Sequence, residues 1–177
     1  MPHSAALPFV LRRSEDVVGG REITSTTETI HGLLRLDRDR LHIQWRLARA
    51  TQRVGKEIRT DHELAPVREV VVPLRALASA NVRWRWRWPP DPYLVLTAAD
   101  LRAFEEVAGE AGMSLDHPAE LSLRLRRADR AAGAEFAAEL ELALAEHALR
   151  AAEGGEALER GAAADAERLP LPPRGDR

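Results

Sequence analysis

Alternation of apolar and polar residues is the dominant pattern of this chain, and it is clearest over residues 81–88. Apolar side chains occupy every second position there, and three arginines separate them: Val82, Trp84, Trp86 and Trp88 alternate with Arg83, Arg85 and Arg87. A period of two is typical of a β-strand, because successive side chains point to opposite faces. A proline-rich turn over residues 89–92 ends the pattern. We therefore predict a strand with one tryptophan face and one arginine face.

Similar patterns predict the remaining strands. Residues 22–36 are rich in threonine and isoleucine, residues 41–47 alternate, and the polar turn at 37–40 joins the two stretches into a hairpin. Three further runs have the composition of strands, and they are residues 68–72, 93–97 and 121–125. The polar residues 61–66, which end in proline, are predicted to form a loop or turn.

A long amphipathic helix is predicted over residues 129–153. Its apolar positions recur at helical spacing, and they are Ala132, Phe136, Leu140, Ala143, Leu144 and His147, with Leu142 and Leu149 widening the stripe. Gly154 and Gly155 are predicted to end the helix, because glycine often follows a helix C-terminus. A shorter helical piece is predicted over residues 100–107.

This order of elements predicts an α+β domain. We expect a small antiparallel β-barrel, or two bent sheets, of about seven strands capped by the one long C-terminal helix. Residues 1–21 are interpreted as an N-terminal arm that adds a short strand or packs on the domain, and residues 22–153 as the folded domain. Residues 154–177 hold few large apolar side chains and are predicted to form a disordered acidic and proline-rich tail.

Three blocks of the sequence resemble bacterial pleckstrin-homology-like (PH-like) domains. Residues 32–37 with 41–46 resemble the first hairpin of that family, residues 70–74, 82–84 and 94–96 its middle strands, and residues 121–125 its final strand before the capping helix. The resemblance covers about residues 22–152 and implies a binding or scaffolding module without chemistry. Some PH-like domains bind phosphoinositides through a basic loop between the first two strands. The loop at 37–40 departs from that pattern, because it holds two aspartates beside its two arginines.

Composition and charge limit the location and the partners. The 177 residues include no cysteine, which excludes disulfides and thiolate chemistry and suits a reducing compartment. The N-terminus lacks the pattern of a signal peptide, so we predict a cytoplasmic protein, and the heavy use of arginine, alanine and proline suggests a bacterial source. Residues 1–130 carry 21 basic and 18 acidic side chains, and residues 131–177 carry 5 and 10. This distribution disfavours a nucleic-acid partner.

The candidate chemistry is sparse. The six histidines form no metal-ligand spacing, and the chain contains no P-loop, nucleophile-elbow or dinucleotide-binding pattern. We therefore predict a protein that is not an enzyme and needs no cofactor or metal. Its partner is expected to be another protein or a second copy of the same chain.

The Arg/Trp stretch supports two hypotheses. At about 25 cal/mol per Å² and roughly 150–250 Å² for each tryptophan, burying three represents about 10 kcal/mol, so a core position is favoured, with Trp86 against Phe136 and Leu140. Alternatively the stretch is an interaction surface, formed by Arg83, Trp84, Arg85, Trp86, Arg87 and Trp88. Such a surface would bind a protein or recruit the chain to anionic membrane lipids.

Overall fold

The computed structural model describes residues 6–19, 22–55, 57–85, 91–108, 112–113 and 115–168. Side chains are described up to residue 153, except that of residue 85. These residues form an α+β structure of eight strands and one long C-terminal helix. The strands are β1 (Ala6–Gly19), β2 (Glu22–Asp37), β3 (Arg40–Val54), β4 (Ile58–Leu64), β5 (Arg68–Pro73), β6 (Leu77–Arg85), β7 (Asp91–Ala98) and β8 (Glu120–Arg124). The helices are α1 (Glu105–Ala108) and α2 (Arg130–Arg168), and single 3₁₀ turns lie at Leu74–Ala76 and Arg127–Asp129.

The strands form two antiparallel sheets. In the large sheet β1 pairs with β2 and β2 with β3, while β5 and β4 pair with the first and second halves of β3. The small sheet has the order β6-β7-β8. Of the two predicted forms, the described residues adopt two sheets rather than a closed barrel, and they hold eight strands rather than about seven.

The hairpin predicted from residues 22–47 is confirmed and is longer than predicted. β2 and β3 pair from Ile23 opposite Val54 to Asp37 opposite Arg40, around a turn at Arg38 and Asp39. Arg38 has a φ of 47°, in the left-handed region that non-glycine residues seldom adopt. This tight turn fixes the register of two strands that each exceed fourteen residues.

The predicted N-terminal arm adds a strand to the large sheet, and this strand is longer than the short one expected. β1 pairs with β2 along its whole length, and its Leu7 and Phe9 are buried in the core. The Phe9 ring lies directly against Gly32, where any side chain would collide with it. The full length of β1 could not be predicted, because its second half, Arg12–Gly19, carries no buried side chain and hence no core-facing apolar alternation.

The prediction of a loop at residues 61–66 is wrong, because most of these residues belong to β4. Every side chain of β4 is exposed. An exposed edge strand needs no apolar face, and charged residues at an edge reduce unwanted pairing with other chains. The polarity that suggested a loop is therefore the polarity of an edge strand.

The core lies between the two sheets and the first half of α2. Its largest fully buried side chains come from both sheets and from the segment around α1, and they include Phe9, Leu34, Ile43, Leu94, Phe104 and Leu123. Among the described tryptophans the buried one is Trp45 in β3, with only 2% of its surface exposed. Its indole Nε1 has no hydrogen-bond partner within the part of the chain that the structure describes.

Helix α2 covers the small sheet with one stripe. Phe136, Ala137 and Leu140 are buried, and Gly133 lets the helix approach closely because any side chain there would collide with Leu125. Three residues assigned to the stripe are exposed instead, namely Ala132, Leu142 and Leu149. The buried stripe of α2 is therefore narrower than predicted.

The predicted end of α2 at Gly154 and Gly155 is wrong. The helix spans 39 residues, about 58 Å at 1.5 Å per residue, and continues to Arg168. Each glycine costs a helix only about 1 kcal/mol relative to alanine, and the alanine- and glutamate-rich residues on both sides are strong helix formers. The predicted disordered tail therefore begins as helix.

The short helix near residue 100 is smaller than predicted. Only Glu105–Ala108 is α-helical, and turns precede it. Asp100 Oδ1 accepts a hydrogen bond of 3.0 Å from the backbone N–H of Arg102. Phe104 and Val107 anchor the segment in the core, whereas Leu101 is exposed.

Candidate functional site

The predicted tryptophan strand is confirmed as far as the structure describes it. β6 runs from Leu77 to Arg85 and pairs antiparallel with β7. Trp86, Arg87 and Trp88 lie outside the described residues, and so does the predicted packing of Trp86 on α2. Arg83 and Trp84 are the two members of the candidate surface whose side chains are described.

Trp84 lies at the boundary between core and solvent. It is 46% exposed, and the guanidinium of Arg130 lies 4.8 Å from the centroid of its ring. Such a cation–π contact covers one ring face and leaves the other accessible. Val82, on the same face of β6, is half-buried beside Gly133. The apolar face of β6 is therefore partly covered by α2 at Val82 and more exposed to solvent at Trp84.

Arginines surround this end of the small sheet, and carboxylates neutralise several of them. Arg83 on the opposite face of β6 forms an ion pair of 3.2 Å with Glu120. The buried Asp91 accepts hydrogen bonds from Arg124 and Arg127, at 2.7 and 3.3 Å. Arg126 pairs with Asp129 at 2.6 Å. The surface around Trp84 is basic but largely paired.

A larger exposed feature was not anticipated from the sequence, and we call it the wing. It is the distal half of the large sheet, made of residues 12–19 of β1, 22–29 of β2, 48–54 of β3 and all of β4. Every side chain of the wing is exposed or half-buried. The wing is thus a four-stranded sheet that projects from the rest of the protein, the body, with both faces accessible.

The inner face of the wing, which continues the core-facing side of the large sheet, is charged. Its first row crosses all four strands as alternating charges: Arg13, Glu28, Arg49 and Glu63. Arg49 donates to Glu28 at 2.8 and 3.0 Å and to Glu63 at 3.2 Å, and Arg13 also pairs with Glu28. Four more charges occupy the next two rows, namely Glu15, Asp61, Arg53 and Arg59.

The row of Arg13, Glu28, Arg49 and Glu63 is called the ladder below. Glu28 is its central residue. Partial burial by itself would raise the pKa of Glu28, but the hydrogen bonds and charges of Arg49 and Arg13 outweigh burial and hold that pKa below its usual value. The same contact with Glu28 raises the pKa of Arg49. The ladder therefore ties the four strands together where the core ends.

The outer face of the wing is nearly uncharged. Its sixteen positions form four rows across the strands: Arg12, Thr29, Ala48, Leu64; Ser14, Thr27, Ala50, His62; Asp16, Ser25, Gln52, Thr60; and Val18, Ile23, Val54, Ile58. The last row, which we call the tip row, places four β-branched aliphatic side chains in line, each between 39% and 73% exposed. A shallow trough of about 320 Å³ lies over the two rows nearest the body, and Thr27, Thr29, Ala48, Arg49, Ala50, His62, Glu63 and Leu64 line it.

Other candidate chemistry is weak in the described residues. Within them, no group of three or more histidines and carboxylates is placed to hold a metal ion. A cleft of about 270 Å³ lies between the sheets at the base of the wing, but Arg13 and Arg124, which line it, are paired with Glu28 and Asp91. None of the helices in the described segments is long and apolar enough to cross a membrane.

Comparisons with protein-family models, with curated proteins and with solved structures find no match for this chain. Function is therefore inferred from the geometry of the described residues.

Proposed function

We propose that this chain is a non-catalytic interaction module of the PH-like class, which binds a protein partner or a second copy of itself. The order of elements supports this class. Two antiparallel sheets come first, and the final strand β8 leads through one 3₁₀ turn into the helix that packs on β6.

The wing is the observation that carries the proposal. Ordering a residue costs roughly 1–2 kcal/mol of backbone entropy, and most proteins recover this cost by burying apolar side chains. The wing orders four strands without one buried side chain, and it exposes an aliphatic row at its end. Exposed apolar surface of this kind usually marks a binding site.

Capture by the full-length chain tests this proposal. Tagged protein is incubated with lysate of its source organism, and retained proteins, including untagged copies of the chain, are identified and rebound in purified form. We expect a retained protein that is lost in at least one of two wing variants, Ala50→Lys on the outer face and Thr51→Lys on the inner face. The matched control is Arg150→Ala on the exposed part of α2. Retention of no protein, or retention that both wing variants leave intact, would contradict the proposal.

A second candidate function is attachment to anionic membrane lipids, and the half-exposed Trp84 favours it. Tryptophan is enriched at membrane interfaces, and Arg83, Arg126 and Arg130 lie around this end of the small sheet. Flotation with vesicles of phosphatidylserine and phosphatidylcholine tests this function, beside vesicles of phosphatidylcholine alone. Binding to the anionic vesicles at low salt, weakened by Trp84→Ala, would support it. Absence of binding at low salt, where the attraction is least screened, would exclude it.

A further inference from the structure

The geometry of the wing points to a specific partner: we propose that the outer face of the wing binds the same face of a second copy, so that the protein self-associates through face-to-face packing of two wings. This inference rests on the proposed function and specifies the partner and the surface. It commits to an identical chain rather than to a different protein.

The charge pattern favours an identical partner. A two-fold interface brings each surface patch against its own copy, so a patch with net charge repels itself. Of the sixteen outer positions, only Arg12 and Asp16 carry a formal charge with histidine neutral, and these have opposite signs. Both lie on the edge strand β1, at the margin of the face. The outer face can therefore meet its own copy without repulsion.

The inner face of the wing, in contrast to the outer face, is highly charged. Eight of its twelve positions in the first three rows are charged, and the first row already uses its charges in ion pairs. Burying such pairs against another chain costs desolvation that their mutual attraction does not reliably repay. The difference between the two faces selects the outer one.

The aliphatic tip row indicates how the two copies align. A two-fold axis parallel to the strands, between β2 and β3, sets the tip row of one copy against that of the other. Val18 then lies near Ile58 of the second copy, and Ile23 near Val54. The small sheet packs on the inner side of the large sheet, so it faces away from the second copy. Small side chains such as Thr27 and Ala50 let the sheets approach to about 10 Å.

The area of the face sets the expected strength. Four strands about 4.8 Å apart and seven residues at about 3.4 Å each give roughly 450 Å² per copy, or about 900 Å² in total. The total lies below the roughly 1,200 Å² at which stable specific interfaces begin and falls in the range of weak, transient ones, so we expect association that depends on concentration, in the micromolar range or weaker.

Introduced cysteines give the first test, because the chain has none of its own. Thr27→Cys places a single thiol on the outer face, and Thr26→Cys places one on the inner face of the same strand with similar exposure. A bismaleimide of about 10 Å, the spacing of two packed sheets, should link Thr27→Cys into a covalent dimer. The same reagent should link Thr26→Cys several-fold less.

A matched pair of lysine substitutions gives the second test. Ala50→Lys adds a charge to the middle of the outer face, whereas its neighbour Thr51→Lys adds one to the inner face, opposite Asp61. Sedimentation equilibrium should show dimerisation at least about tenfold weaker for Ala50→Lys, because the interface brings two added charges together out of water. Thr51→Lys should remain within about twofold of the unmodified chain, as expected outside the interface. Circular dichroism checks that both variants fold.

Each outcome decides the inference. A monomer at all concentrations, or equal cross-linking of the two cysteine variants, would overturn it. A dimer that Ala50→Lys leaves intact would also overturn it, because another surface, such as an exposed edge strand, would then form the contact. If the chain is monomeric yet captures a different protein through the wing, only the inference fails and the proposed function stands. If it captures neither a protein nor its own copy, both fail.

Discussion

The body and the wing are built from the same three long strands, yet they are stabilised in different ways. In the body, β1, β2 and β3 present a buried side chain at almost every second position, and the small sheet and α2 cover them. In the wing, the same strands and β4 continue their hydrogen-bonded pairing with no covering layer. Backbone pairing can therefore extend well beyond the core, provided that the core fixes the register.

This comparison implies that the wing depends on the body for its stability. An isolated sheet needs a hydrophobic face or a packed helix to be stable in water. The wing has neither, and its strongest side-chain contacts form the ladder at its base. Local opening should therefore begin at the tip row and proceed toward the body.

The largest expected effect distinguishes two tryptophans. Trp45→Ala should lower the free energy of unfolding by about 3–5 kcal/mol, because it removes a fully buried ring from the core. Trp84→Ala should cost about 1 kcal/mol, since the ring is half exposed and mainly contacts Arg130. Urea denaturation of both variants checks this difference. Equal losses would mean that Trp84 belongs to the core.

A second pair compares body and wing within one strand. Ile30 is 4% exposed at the end of the body and Ile23 is 46% exposed at the tip row, both in β2. Ile30→Ala should cost about 2–5 kcal/mol, the usual range for a buried isoleucine. Ile23→Ala should change the free energy of unfolding by less than about 0.5 kcal/mol. A large loss for Ile23→Ala, measured in the monomer, would show that the wing is covered within one chain.

The smallest expected effect concerns the ladder and pH. Glu28→Gln should cost about 1 kcal/mol at neutral pH, as for an accessible ion-pair network. Because the folded pKa of Glu28 is depressed, its contribution is fully present above the unfolded pKa and is lost as pH falls through the folded pKa. The difference in stability from the unmodified chain should therefore shrink on acidification. Glu15→Gln, on the next row, is the control, and a difference that persists in acid would contradict the assignment.

Much of the fold could be predicted because apolar alternation reports burial on one face. The hairpin of β2 and β3, the strands β5, β7 and β8, and the helix stripe at Phe136 and Leu140 follow from it. β4 and the second half of β1 could not be found in this way, since neither carries a buried side chain. The end of α2 was misplaced because glycines are weak stop signals between strong helix formers.

The candidate site was predicted only in part. The alternation around Trp84 drew attention to the end of β6, and the structure places Arg83 and Trp84 there on opposite faces. The outer face of the wing escaped notice because it exists only through register. Val18, Ile23, Val54 and Ile58 are far from consecutive in sequence, and pairing alone brings them into one row. The available signal was the two-residue period of β2. It places Ile23, Ser25 and Thr27 on one face and Glu22, Thr24 and Thr26 on the other.

Hydrogen exchange at two protein concentrations tests the central claim most directly, because it follows wing and body in the same molecule. In dilute solution, where the chain is monomeric, amides of residues 22–29 and 48–54 should exchange faster than those of residues 30–36 and 41–47. Raising the concentration should slow exchange in the wing and leave the body unchanged, because binding protects the segments it covers. Exchange that is uniform along β2 and β3, or wing exchange that does not respond to concentration, would contradict the account.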